Sequence, residues 1–273
     1  MIENISIEES FLNEELEIVT EAISMNEAVQ EVVKDKKDSN IKKTVKKLKE
    51  FFVKIVRAIQ EAMKKFSTFF VANFGKVTKL HDLAATVLAK LKKDKKLIAD
   101  FVASRAEMKI PVGKLAKSEN YKKLADLRNK IYSDDFDKEY GELRSNSASE
   151  ADDRIALGNL ANVETLLKQS EQLVKFSKES ARSCKQLKDD IQKDSKTAIS
   201  EIKELEKGKT DRKEKINEQK TYVTRANKLF SMNRQASTQF LKQDYILSNI
   251  IVNFGVSVKL VETENAQRNK AFQ

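Results

Sequence analysis

A hydrophobic repeat of 3.5 residues, running from Leu160 to Leu205, constrains the fold of this 273-residue chain more than any other sequence feature. Alternating steps of three and four residues reach apolar or small side chains at most positions. The fourteen repeat positions are Leu160, Val163, Leu167, Ser170, Val174, Ser177, Ala181, Cys184, Lys188, Ile191, Ser195, Ala198, Ile202 and Leu205. A repeat of this period keeps one seam on the same side of a helix, as in a coiled coil. Because Ser and Lys interrupt the seam, we expect a long helix that needs a partner for its stability.

The chain supplies such a partner helix immediately after the repeat. Gly208 suits the end of the first helix, and Asp211 suits the N-cap of a second one. The apolar positions of the second helix are Ile216, Val223, Ala226, Phe230, Phe240, Leu247, Ile251, Phe254, Val258 and Val261. A connection of only a few residues forces two long helices to pack antiparallel. We therefore predict a long coiled-coil helical hairpin over residues 147–273.

Composition extends the helical prediction to the whole chain. One Pro, six Gly and no Trp occur among the 273 residues, and 34% of the residues are charged. Few helix breakers and many charged helix formers indicate long helices that each bury one narrow stripe. The predicted fold class is all-α, with elongated antiparallel helical hairpins or a coiled-coil bundle. The single cysteine, Cys184, rules out a framework of disulfides within the chain.

Charge divides the chain into three expected segments. Residues 1–33 contain nine Glu and no Lys or Arg, whereas residues 34–96 contain nineteen Lys or Arg and six Asp or Glu. We expect an acidic N-terminal helical arm over 1–33, a basic amphipathic helical region over 34–140, and the hairpin over 147–273. The boundary before the hairpin is placed in the small and polar residues 141–150.

The basic region combines an apolar stripe with a lysine-rich face. Phe52, Ile59 and Phe66 follow helical spacing, Gly75 is expected to kink or end the helix, and Pro111 is expected to close the region. The candidate polyanion-binding residues are Lys42, Lys43, Lys46, Lys47, Lys49, Lys54, Arg57, Lys64, Lys65, Lys92, Lys93, Lys95 and Lys96. Three interpretations stay open: non-specific binding of nucleic acid by counterion release, binding of an anionic membrane surface, or a solvated face on a core-facing helix.

Side chains that could support catalysis or metal binding are sparse. His81 is the only histidine, and neither Cys184 nor a carboxylate cluster has metal-ligand spacing around it. The Gly-Lys-Thr sequence at 208–210 lacks the preceding glycine and strand of a phosphate-binding loop. We therefore expect a protein that is not an enzyme, with no catalytic residues, no cofactor and no metal.

The sequence contains no apolar segment of the length that a membrane-spanning helix needs. The longest uncharged run, residues 245–258, is shorter than the roughly 20 residues that cross a bilayer. The acidic N-terminus lacks the basic and apolar regions of a secretory signal. We expect a cytoplasmic or virion location.

The acidic arm carries a short motif near its middle. Residues 16–22 read Leu-Glu-Ile-Val-Thr-Glu-Ala. This part of the chain resembles the acidic N-terminal propeptides of internal head and scaffold-associated proteins of tailed bacteriophages, which a prohead protease cuts after an aliphatic-x-Glu tripeptide. The resemblance is confined to the first 22 residues, and the alternative interpretation of the arm is an acidic helix that docks on the basic one. The resemblance implies cleavage between Glu21 and Ala22, with Val19 in place of the Ile or Leu that such motifs prefer.

Together these observations predict a non-enzymatic α-helical structural or assembly protein. The resemblance implies a phage virion or internal head protein, and the basic helices imply contact with DNA or with an acidic partner. The helical seams predict a protein partner or self-association. The alternative is a membrane-active or membrane-surface-binding helical protein, in which the apolar segments 51–74 or 245–258 become exposed.

Overall fold

The computed structural model describes residues 9–11, 13–14, 41–111, 115, 118–148, 154–207 and 212–261. Within them the protein is an all-α helical bundle, which confirms the predicted fold class. The helices are α1 (Ile41–Leu91), α2 (Lys95–Ser104), α3 (Ser118–Asn129), α4 (Phe136–Ala148), α5 (Leu160–Glu206) and α6 (Arg212–Ser257). Two short strands, β1 (Lys109–Pro111) and β2 (Arg154–Ala156), pair antiparallel with Ile110 opposite Ile155. The described residues 9–11 and 13–14 are also helical, and we call them the N-terminal segment.

The chain forms two compact units, and each unit combines parts that are distant in sequence. Unit 1 contains the described residues of Met1–Phe70, Ser118–Ser145 and Glu179–Thr238. Unit 2 contains those of Val71–Lys117, Asn146–Lys178 and Gln239–Gln273. Helices α1, α5 and α6 therefore contribute residues to both units. The division into three segments by charge stays a prediction, and each compact unit draws on more than one of those segments.

Helices α5 and α6 form the predicted antiparallel hairpin. In unit 1, Sγ of Cys184 lies 3.6 Å from the carbonyl oxygen of Phe230. In the same unit, Nη1 of Arg212 lies 3.3 Å from Oε2 of Glu201. The residue number rises along α6 as it falls along α5, which is the antiparallel arrangement.

The seam of α5 faces the core as its period predicts. Eleven of the fourteen repeat positions are buried, and the other three, Leu160, Ala181 and Lys188, are half-buried. Ser170, Ser177 and Ser195 are buried together with the apolar positions. The 3.5-residue period, more than the polarity of individual residues, thus identifies the packed face of this helix.

Helix α1 is longer than the sequence suggests, because Gly75 does not end it. The helix continues through Gly75 to Leu91, and the next helix begins after Asp94. Oδ1 of Asp94 accepts hydrogen bonds from the backbone N–H groups of Lys96 and Leu97 at 2.9 and 3.2 Å, as an N-cap does. A single glycine costs a helix only about 1 kcal/mol, so the flanking apolar stripe overrides its propensity.

Two further boundaries differ from the predicted ones. Helix α4 extends to Ala148, so most of the expected linker at 141–150 is helical. Pro111 lies in strand β1 rather than at the close of a helical region, and an edge position tolerates its missing N–H. Helix α5 begins at Leu160, where Oδ1 of Asn159 caps the N–H of Ala161 at 2.9 Å. Strand β1 thus lies within the predicted basic helical region, and strand β2 lies within the range predicted as the helical hairpin.

Helix α6 is the most thoroughly buried element. From position 222 to 252, all of which the structure describes, no residue is exposed, and the half-buried positions recur every three or four residues. Both α5 and α1 pack against it. Only one narrow stripe of α6 therefore has access to solvent over this stretch.

The two helical glycines at Gly75 and Gly255 provide a matched test of packing. A Cβ at Gly75 would meet no atom within 4 Å, whereas a Cβ at Gly255 would lie 2.7 Å from both methyl carbons of buried Val87. Gly75→Ala should raise the free energy of unfolding by about 0.5–1 kcal/mol through helix propensity. Gly255→Ala should lower it by about 1–3 kcal/mol through overpacking. Urea denaturation of the full chain measures both, and equal effects would contradict the close approach of α6 to α1 in unit 2.

Burial of Cys184 predicts an inert thiol. The side chain is fully buried, and burial raises the pKa of the thiol well above its ordinary value. In the folded protein the thiol should react slowly with a water-soluble disulfide reagent, and it should react rapidly in denaturant. The exposed neighbour Lys185 supplies the control, since Cys184→Ala combined with Lys185→Cys should react rapidly in both states. Equal rates for folded and unfolded wild type would mean that the seam is open at this position.

Candidate functional site

The predicted basic face of α1 is exposed in unit 1. We call its exposed basic residues the α1 lysine face, and they are Lys46, Lys49, Lys54, Arg57, Lys64 and Lys65. Lys47 is half-buried, and the side chains of Lys42 and Lys43 lie outside the described ones. The opposite side of the same helix holds buried Phe52, Ile59 and Phe66. The structure thus places the apolar stripe in the core and the positive charges in solvent.

The second predicted cluster lies in unit 2, around the start of α2. Lys92, Lys93, Lys95 and Lys96 are all exposed, and Lys92 forms an ion pair with Glu164. Lys95 and Lys96 occupy the first turn of α2, which contains no acidic residue. Positive charges in the first turn oppose the helix dipole. The stability of α2 therefore does not explain why these lysines are there.

The N-terminal segment is anchored in unit 1 by one aromatic and one charged contact. Phe11 is 1% exposed, and its ring centroid lies 5.4 Å from that of Phe69 in an edge-on arrangement. Nε of Arg234 donates a hydrogen bond of 2.5 Å to Oε1 of Glu14, and both side chains are buried. The guanidinium carbon of Arg234 also lies 6.0 Å from the ring centroid of Phe66. This buried pair joins an acidic residue of the arm to the centre of α6.

The same segment borders the α1 lysine face. Exposed Glu9 and Asn13 line a groove together with Glu61, Lys64 and Lys65. Exposed Glu9 of the N-terminal segment and basic side chains of α1 therefore share one surface of unit 1. The predicted processing site, Glu21 and Ala22, lies outside the described residues.

A second ion pair lies in unit 2 between half-buried His81 and buried Asp244, and the sequence did not indicate it. Nδ1 of His81, on α1, lies 2.7 Å from Oδ1 of Asp244, on α6, whose side chain is fully buried. The hydrogen bond to Asp244 raises the pKa of His81, burial opposes this rise, and the charges of Asp82 and Glu171 add to it. Burial raises the pKa of Asp244, and the hydrogen bond to His81 opposes that rise. Asp244 directly follows the polar residues Lys242 and Gln243, so no local sequence signal marks it as buried.

His81 also borders a cavity of about 230 Å³ between α1 and α5 in unit 2. The charged side chains around it are Lys92, Glu164, Lys168 and Glu171. In the part of the chain that the structure describes, no group of three or more His, Cys, Asp or Glu residues is arranged to hold a metal ion. Within that same part, no helix combines the length and the hydropathy needed to cross a membrane.

Comparisons of the chain with protein-family models, with curated proteins and with solved structures found no match.

The His81–Asp244 pair predicts a measurable pH dependence. Because the chain has one histidine, its ring proton resonances report on His81 alone. An NMR titration should give a midpoint above 6.5, the ordinary value, and Asp244→Asn should lower the midpoint because burial then acts without the opposing carboxylate. Since the folded pKa is raised, the stabilisation from His81 is fully present below about pH 6.5 and is lost as the pH rises through the folded pKa. A midpoint that does not change in Asp244→Asn would contradict the pair.

Proposed function

We propose that this protein is a non-enzymatic helical structural or assembly component that binds polyanions without sequence specificity through the α1 lysine face. The observation that carries the proposal is the solvent exposure of six basic side chains along one side of α1 in unit 1. Two acidic residues, Glu50 and Glu61, are exposed on the same stretch, so positive charge predominates there. A row of positive charges along one side of a helix suits a row of phosphates, which it binds by releasing counterions.

Burial of the aromatic residues bears on how such a surface would work. Phe51, Phe52, Phe66 and Phe69 are buried, so they are not available to stack on bases. Binding through lysine alone does not distinguish one DNA sequence from another. Contacts to phosphates position the protein on DNA and neutralise charge, but they do not depend on the identity of the bases. DNA is the polyanion that we propose, and an acidic protein surface is a second ligand with the same chemistry.

The phage interpretation extends this proposal to a specific setting. A basic helical body suits a virion or internal head protein packaged beside DNA, and the net charge of +10 together with the α1 lysine face supports that interpretation. Removal of residues 1–21 after Glu21, as the resemblance implies, would take away seven Glu residues. The basic body would then face the packaged DNA with less acidic charge beside it.

The membrane alternative requires apolar side chains to leave the core. Tyr245, Leu247, Ile251 and Phe254 of segment 245–258 are buried, as are the four Phe residues of α1 named above. An amphipathic helix binds a bilayer with its apolar face. In the described conformation those faces contact other helices, so this conformation does not favour the alternative.

The proposal predicts salt-dependent DNA binding that depends on α1. Lys46→Gln, Lys49→Gln, Arg57→Gln and Lys64→Gln together should weaken binding to a short duplex by about tenfold or more at moderate salt. The slope of log affinity against log salt should become shallower by about one for each phosphate that the variant no longer neutralises. Two duplexes of unrelated sequence should bind alike. Fluorescence anisotropy with labelled duplexes over a salt series measures these quantities.

The control variant removes the same charge elsewhere in unit 1. Lys122→Gln, Lys123→Gln, Lys185→Gln and Lys196→Gln replace four exposed lysines of α3 and α5. If binding depends on where the lysines lie, the control variant should keep most of the DNA affinity of wild type. If binding depends only on net charge, the control variant should lose as much affinity as the α1 variant. Wild type that fails to bind DNA at moderate salt, or variants that bind equally, would make the lysines a solvated face and remove the proposed function.

A further inference from the structure

The buried end of the N-terminal segment fills a defined socket in unit 1. We call the residues that receive it the Arg234 socket, and they are Phe66 and Phe69 of α1 and Arg234 of α6. Arg234 is 1% exposed and is among the largest fully buried side chains of the described residues. Its Nε donates to Glu14, and Phe69 contacts Phe11. The socket therefore accepts one carboxylate and one aromatic ring, spaced three residues apart on a helix.

The socket has a strong chemical requirement for that carboxylate. A buried guanidinium is costly unless it is paired and hydrogen-bonded, and removal of one partner from a buried ion pair is more damaging than replacement of both. A helix that lacks the carboxylate would bury the charge of Arg234 without its acidic partner. The socket thus selects a short helix with Phe and Glu at the spacing of Phe11 and Glu14.

The chain between the N-terminal segment and α1 is long enough for the segment of one copy to reach the Arg234 socket of another copy. Residues 15–40 separate Glu14 from Ile41, and 26 residues can span at most about 90 Å when fully extended. The arm is also charged to suit the surface it meets, since residues 1–33 carry nine Glu and no basic residue, and the groove beside the socket contains Lys64 and Lys65. A second copy of this chain carries the same helix with the same charge.

We propose that the Arg234 socket accepts the N-terminal segment of a second copy, so that copies of the chain associate by exchange of their arms. Exchange of an identical element forms the same contacts between copies as within one copy. The tethered segment of the same chain competes at an effective concentration of about millimolar, so exchange is favoured where the protein is concentrated, as in an assembly. This association uses the arm and the socket, so it applies to the chain before any cleavage after Glu21, and it is separate from the binding of polyanions by the α1 lysine face.

Two full-length variants test the exchange by complementation. The first, Phe11→Ala with Glu14→Gln, has a defective arm and an intact socket. The second, Arg234→Met, has an intact arm and a defective socket. Native mass spectrometry of the mixture distinguishes the heterodimer from both homodimers by mass. The heterodimer should exceed either homodimer at least about tenfold, because only it joins an intact arm to an intact socket. A statistical mixture of dimers, or no heterodimer, would overturn the proposal.

A second measurement covers the case in which Arg234→Met does not fold. A labelled synthetic peptide of residues 5–18 is titrated into the full-length variant with the defective arm. The peptide should bind, and the same peptide with Glu14→Gln should bind at least about tenfold more weakly. Equal binding of both peptides, or no binding, would overturn the socket. Peptide binding without a heterodimer would reject the second copy as the occupant and indicate another acidic helix. Neither measurement depends on DNA, so the failure of one proposal is distinguishable from the failure of the other.

Discussion

The burial of α6 is the constraint on which the rest of the structure depends. Helices α1 and α5 each carry an apolar stripe that is too narrow to stabilise an isolated helix, and both pack against α6. As a result α6 is covered on all but one narrow stripe from position 222 to 252. A helix covered in this way is normally apolar all round. Here it contains buried Asn233, Thr238 and Ser248, so its polar groups must find partners inside the protein.

Some of these partners are local, and two come from distant parts of the chain. The side chains of Asn233 and Thr238 donate to carbonyl oxygens one turn earlier in α6. The two buried charged side chains of α6 are Arg234 and Asp244, and Ser248 one turn further along α6 is a local hydrogen-bond partner of Asp244. Each charged side chain binds an opposite group within its own unit, Glu14 in unit 1 and His81 in unit 2. Because apolar residues of equal volume would often stabilise a core at least as well as a buried ion pair, we infer that these pairs provide specificity of packing. The Arg234 pair selects the N-terminal segment, and the His81 pair fixes how α1 lies on α6 in unit 2.

The sequence predicts the all-α class and the antiparallel hairpin because both depend on local periodicity and on a short connection. It does not predict either ion pair. Glu14 and Arg234 are 220 residues apart and His81 and Asp244 are 163 apart, and no local pattern relates positions so distant. The strand pair is missed for the same reason, since β1 and β2 each contain three residues and depend on each other. Gly75 does not end α1, because tertiary packing on both sides of it outweighs a small propensity cost. The α1 lysine face is found correctly as an exposed surface, because solvent exposure follows from the amphipathic period, whereas its ligand does not.

The anchoring of Glu14 changes what a truncation of the arm would mean. If the arm were held by surface charges alone, its removal would only uncover the lysines of α1, and exposed ion pairs of that kind contribute about 1 kcal/mol or less. Phe11 and Glu14 are instead part of the core of unit 1, so removal also leaves Arg234 without its acidic partner. Stronger DNA binding after truncation would therefore mix an electrostatic effect with a loss of packing. Exposed Glu9, which lines the groove with Lys64 and Lys65, separates the two effects. Glu9→Gln removes one negative charge beside the lysines and leaves the buried pair intact. If the arm masks the lysines electrostatically, Glu9→Gln should therefore bind DNA more tightly than wild type does.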